Sequence, residues 1–179
     1  MMLKDEQTNI LEKNYVEDLE KIKETIKVNQ YKAMVVVNST MILTYYEIGT
    51  IINQRKSWGS KYIQFLAEHL KEYKGYSYDS LKRMAQFSNM LSISEIREHP
   101  VPQIPWGSII EIMKKSNSHE EMLWYINETH KKGWSRSMVL NQFKLKAYER
   151  SLLQPITSSN VTDNKDSDLT RELFKDTYV

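Results

Sequence analysis

Four histidines, His69, His99, His119 and His130, have the widest chemical repertoire in this chain, and their spacing argues against most of it. A helical zinc site of the peptidase kind sets two histidines four residues apart with a glutamate between them, and none of the four stands in a His-Glu-x-x-His pattern. The chain has no cysteine, so thiolate nucleophiles, thiolate metal ligands and disulfides are excluded. Glu68 and Glu72 are one helical turn apart, but among lysines they read as a solvated face. A nuclease needs clustered carboxylates to hold a divalent cation, usually with a lysine nearby. The Glu-x-Lys triplet Glu72-Tyr73-Lys74 has no strand aspartate before it, which makes the spacing accidental. Neither a glycine-rich phosphate loop nor a nucleophile elbow is present. The sequence therefore predicts no catalytic residues, no metal and no cofactor in this chain.

Binding chemistry is better represented. Between residues 131 and 150, Lys131, Lys132, Arg136, Lys144, Lys146 and Arg150 face one carboxylate, Glu149. A local field of one sign attracts polyanions, although a basic solvated helix face has the same composition. The candidates for contacting nucleic acid form two sets. In the first, Tyr78, Lys82 and Arg83 on one helix would face a duplex, with Lys61, Lys71 and Lys74 available to phosphates. In the second, Arg136, Ser137, Asn141, Lys144 and Lys146 belong to a later helix, with Lys131 and Lys132 just before it. Asn and Arg are side chains that can read base edges.

The elements that must carry these residues follow from periodicity. Ile10, Leu11, Tyr15, Leu19, Ile22 and Ile26 recur at helical spacing behind Asn9, a candidate N-cap. The pattern resumes from Ala33 to Ile52, giving one long helix or two joined near Val28–Gln30, the second half apolar almost all round and so central to the core. The run Val35-Val36-Val37 stays in the helix because no turn residue bounds it. After a connection at Arg55–Gly59, a helix marked by Tyr62, Ile63, Leu66, Leu70 and Tyr73 ends at Gly75, and Ser77 caps the next one. Ser92 with Glu95, and Ser118 with Glu121, are capping boxes. Pro100, Pro102 and Pro105 interrupt regular structure, and Trp106–Lys115 forms a brief helix. Gly133 stops the helix that starts at Ser118, and Ser135 caps a last one running through Met138 to Tyr148.

The fold class is all-α, with two helix-turn-helix-like units around Gly75-Tyr76-Ser77 and Gly133-Trp134-Ser135. Trp58, Trp106, Trp124 and Trp134 read as core plugs at helix junctions. At 179 residues, one domain plus tails is the natural organisation: a flexible start at 1–8, a helical domain at 9–152, and a linker from 153 to 179. Residues 151–179 have three cations against five carboxylates, a net of −2, so residues 1–150 carry +4 and the total is +2. With no apolar leader at the start and Met34–Val37 as the longest strongly apolar run, the reading is cytoplasmic, without a membrane.

The run from Val37-Asn38 through Tyr45-Tyr46-Glu47-Ile48-Gly49, then Trp58-Gly59, Leu66–Leu70 and Gly75-Tyr76-Ser77 with Leu81, Met84 and Gln86-Phe87, resembles the N-terminal domain of the YhcG-like bacterial nucleases of the PD-(D/E)xK superfamily. Ile104-Pro105-Trp106, Trp124-Tyr125 and Gly133-Trp134-Ser135-Arg136 continue the likeness, which covers about residues 15 to 150. It implies a helical DNA-binding part followed by a metal-dependent nuclease domain. Leu173–Val179 resembles the lead-in to that second domain, with Thr177 where the family has proline, and the catalytic half is expected to be missing here. Where the family commonly has a histidine shortly after the tryptophan, this chain has Trp106-Gly107-Ser108. The expected function is a non-catalytic module that binds duplex or branched DNA and positions the nuclease domain. The alternative is a protein-interaction or homodimerisation module, and an exposed apolar stripe on residues 10 to 26 would favour it.

Overall fold

The computed structural model describes residues 2–55, 57 and 59–154, and among them the regular structure is helical, in eight α-helices and a 3-10 turn. Of the linker and nuclease lead-in expected over 153–179, residues 155–179 lie outside the described residues, as does Trp58.

Helix α1 (Met2–Asn53) is one uninterrupted helix of 52 residues, about 78 Å long at 1.5 Å per residue. The choice between one helix and two resolves to one, since nothing at Val28–Gln30 breaks the backbone pattern. Asn9, expected to cap its start, lies inside it. Its first half is largely uncovered by the other described residues: Ile10, Leu11, Tyr15, Val16, Ile22 and Ile26 are all at least 50% exposed. From Met34 onward one face enters the body, burying Met34, Asn38, Ile42 and Ile52. The expectation of burial nearly all round is corrected, because Val36, Leu43 and Ile51 on other faces are exposed. Met34–Val37 also understated the apolar length. An 18-residue stretch of α1 reaches a mean hydropathy of 1.3, so by length and composition this helix could cross a membrane. Within the fold one face of it is committed to packing.

Helix α2 (Gly59–His69) is followed by an irregular connection and then α3 (Tyr78–Met90). The helix does not run to Gly75 as its pattern suggests. Beyond Leu70, Lys71, Glu72, Tyr73 and Lys74 are all exposed, so no apolar anchor holds a further turn against the body. Gly75, at φ +99°, reverses the chain inside this connection, and Ser77 caps α3 by accepting from the Ser80 amide at 3.3 Å. The first expected unit is thus two helices joined by a long connection, without a tight glycine turn.

The capping box of α4 (Ile93–Glu98) forms as expected, with Ser92 Oγ accepting from the Glu95 amide and Glu95 from the Ser92 amide. The proline segment then makes a 3-10 turn, Val101–Gln103. Buried Asn38 holds it in place, its Nδ2 donating to the carbonyls of Pro102 and Ile104, both at 3.0 Å. Helices α5 (Trp106–Lys115) and α6 (His119–Lys132) follow. Ser118 caps α6, while Glu121 reaches past it to the Asn117 amide at 2.6 Å.

Gly133, at φ +62°, ends α6, and the three-residue turn Gly133-Trp134-Ser135 leads into α7 (Arg136–Lys144), capped by Ser135. The last helix does not continue to Tyr148. Lys146 takes a left-handed φ of 51° and a separate α8 (Ala147–Leu153) begins. The break lets Ala147 enter the core and brings Tyr148 against Trp124, ring centroids 5.6 Å apart.

Two adjoining cores result. The larger one gathers Ile42 of α1, Phe87 of α3 and the apolar faces of α4 to α8. The smaller one sets Ile52 against Leu81, Met84 and Ala85 beneath α2. Tyr45 and Trp106 pack on both. Trp106 meets Tyr45 at 4.9 Å and Phe87 at 5.2 Å, and Trp124 lies 4.9 Å from Tyr125 and 6.4 Å from Trp134. These three tryptophans are the junction plugs the sequence suggests.

Candidate nucleic-acid interface

The two sets of candidate contacts belong to different helical units. α3 packs on α1 and α2, whereas α7 packs on α5 and α8. In the first unit Lys61, Lys71, Lys74 and Lys82 are exposed, and Tyr78 and Arg83 are partly covered. Lys71 pairs with Glu68 at 2.6 Å, an exposed bridge of little energetic weight. Asp79 in the first turn of α3 places a carboxylate beside Tyr78, which weakens this unit's appeal to a polyanion.

The second unit has a more uniform field. Val139 anchors α7, fully buried, which turns Ser137, Asn141 and Lys144 outward at i, i+4 and i+7. α7 contains no acidic residue. Lys131 and Lys132 end α6 beside it, and Lys146 follows it, all exposed. Lys131, Lys144 and Lys146 have no ion-pair partner among the described residues. Lys132 bridges Glu128 at 2.9 Å and lies 5.4 Å from the centre of the Trp134 ring.

Arg136 is different. Its guanidinium donates to Glu111 of α5 at 2.8 Å, and this hydrogen bond, ahead of the simple attraction of charges, holds the Glu111 carboxyl below its ordinary range against the opposing effect of burial. Glu111 is only 9% exposed, so Arg136 neutralises a carboxylate that the core would otherwise strand. It is first a tie between α5 and α7.

One cation was not singled out from the sequence. A polar hollow between α6 and α8 brings Arg150 and Lys132 together with Gln142 and Gln154 beside Trp124 and Trp134. Arg150 also donates through Nε to the Leu145 carbonyl at 2.9 Å, across the turn that Lys146 makes. Its position in the basic run pointed to it, but a continuous helix through residue 148 hid the turn that directs it here.

Three of the four histidines have structural partners. His69 Nδ1 is 2.8 Å from the Phe65 carbonyl, His99 Nδ1 is 3.0 Å from Asn127 Nδ2, and His119 pairs with Glu95. Among the described residues, no three His, Cys, Asp or Glu side chains gather as a metal site would require.

The family described as DUF1016 N-terminal domain matches residues 21–150. The chain belongs to this family. The DUF1016 N-terminal domain is the non-catalytic N-terminal module of the YhcG-like PD-(D/E)xK nucleases, so the resemblance read from Gly133-Trp134-Ser135-Arg136 and its companions holds. The match takes in all of α2 to α7 but leaves residues 2–20 of α1 outside. No curated protein and no solved structure matches the chain.

Proposed function

We propose that this DUF1016 N-terminal domain binds duplex or branched DNA in the cytoplasm and thereby positions a PD-(D/E)xK nuclease domain on its substrate. The observation that carries the reading is the outward face of α7, where Ser137, Asn141 and Lys144 line up without a carboxylate among them and Lys131 and Lys146 flank them unpaired among the described residues. α6, the Gly133 turn and α7 would act as a helix-turn-helix, with the lysines on phosphates and Asn141 nearest the base edges. Lys82, Arg83, Lys61 and Lys74 of the other unit would add phosphate contacts along a longer or branched duplex. Binding of this kind releases counterions, so affinity falls steeply with salt.

The test is a fluorescence anisotropy titration with labelled linear and four-way branched duplexes at several salt concentrations. The chain should bind with a log-log salt dependence, and a Lys131→Ala, Lys144→Ala, Lys146→Ala variant should bind more weakly with a shallower slope. Arg136 is left intact, because its removal would disturb the fold. Absence of salt-dependent binding, or equal binding by the variant, rejects the proposal.

A further inference from the structure

The free part of α1 carries an apolar seam that the body does not use. Tyr15, Leu19, Ile22 and Ile26 follow one another in steps of four, three and four residues, the heptad rhythm of a coiled coil rather than the drift of a single helix on a flat surface. The same rhythm continues through Asn29, Ala33, Val36, Thr40 and Leu43. Tyr15, Ile22, Ile26, Val36 and Leu43 are 66%, 55%, 50%, 65% and 44% exposed. Val36 and Leu43 lie on the side of α1 turned away from Met34, Asn38 and Ile42, which are buried in the body. The seam is therefore accessible along its whole length, about 42 Å from Tyr15 to Leu43 at 1.5 Å per residue.

We propose that α1 pairs with α1 of a second copy of this chain as a parallel, in-register two-stranded coiled coil. The area is sufficient: with the neighbouring Leu11, Val16 and Val37, the uncovered apolar side chains amount to on the order of 800 Å² per copy, what each partner brings to a standard interface. The flanking charges agree. In a parallel pair Asp18 faces Lys23 of the other copy, and the remaining flanking pairs, Leu11 with Val16, Thr25 with Gln30 and Lys32 with Val37, bring no like charges together. Asn29 fixes the direction. Only the parallel in-register arrangement sets it against its own counterpart, where two amides satisfy each other. Antiparallel registers oppose it to Leu19, Ile26, Ala33 or Thr40, none of which offers a matching amide. A helical arm this exposed also gains stability from such a partner.

Light scattering after size exclusion should give about twice 21.2 kDa. Ile22→Glu with Ile26→Glu should return the mass to that of one chain. These two side chains are exposed on the arm, so the thermal unfolding of the body should be retained, which separates loss of pairing from loss of fold. Because the chain has no cysteine, Tyr15→Cys and Val36→Cys can each report orientation. Both should form interchain disulfides on mild oxidation, at least tenfold faster than Glu24→Cys on the outer face of the helix. A monomer at every concentration up to about 100 μM overturns the proposal, as does a mass unchanged by the double glutamate variant. Tyr15→Cys no faster than Glu24→Cys overturns it too. So does a monomeric parent that floats with phosphatidylglycerol vesicles, which would assign the seam to a lipid surface. None of these readouts depends on DNA.

Discussion

Gly49 of α1 lies directly against the main-chain carbonyl of Met84 in α3: a β-carbon built on Gly49 would stand 2.0 Å from that oxygen and 2.9 Å from Ser88 Oγ. The closest obstacle is backbone, so no side-chain rotation relieves it. Gly49→Ala should therefore push the two helices apart and cost about 3 kcal/mol. Chemical denaturation followed by circular dichroism measures this directly, and a loss below about 0.5 kcal/mol would mean the helices part freely.

Asn38 is the second fastening. It is 2% exposed and donates to two carbonyls of the proline segment. Asn38→Ala leaves the Ile104 carbonyl without its donor, while Ser39 Oγ still reaches Pro102 at 3.1 Å. The expected destabilisation is about 2 kcal/mol, and Asn38→Leu should be no better, since it gives the Ile104 carbonyl no donor either. Equilibrium unfolding of both variants decides it.

Acid should loosen the α5–α7 junction. Glu111 has its pKa lowered from 4.5 by the Arg136 hydrogen bond, so its stabilising effect is complete above 4.5 and is lost as pH falls through the depressed folded value. Glu95 is lowered likewise, first by the Ser92 amide and then by His119. Melting temperature against pH should therefore drop below about pH 4.5 in the parent. Glu111→Gln should have a flatter acid limb and a lower plateau near neutrality. A limb of unchanged steepness would show that Glu111 does not contribute to it.

On α7 the roles of neighbouring residues should separate. Lys144→Ala should weaken DNA binding for all sequences alike and reduce the salt slope by about 1. Asn141→Ala should leave that slope unchanged and lose any preference between duplexes. Anisotropy at four salt concentrations distinguishes the two, and identical behaviour of both variants would contradict the assigned orientation of α7.

Caps and plugs were legible in the sequence because each rests on local chemistry: Ser77, Ser92 and Ser135 accept from amides three residues on, and Gly133 takes the left-handed turn. Helix lengths were less so. The apolar period that ran on past Leu70 and past Leu145 was real, but whether a turn persists depends on what the rest of the fold offers it. The exposed lysines after Leu70 found nothing to pack on, and Lys146 turned so that Tyr148 could reach Trp124. The basic face of α7 was visible as composition. That Arg136 is bound to Glu111, 25 residues away, could not be seen from spacing along a single helix.

The left-handed Lys146 makes α8 a clasp rather than a tail. Past that residue the chain doubles back, so that the Tyr148 amide donates to the Tyr125 hydroxyl at 3.4 Å, while Tyr125 stacks on Phe143 at 3.7 Å. The aromatic corner therefore closes only once α8 is in place. A version cut after Lys144 would unlatch α6 from α7 at its most aromatic corner and should come apart there first.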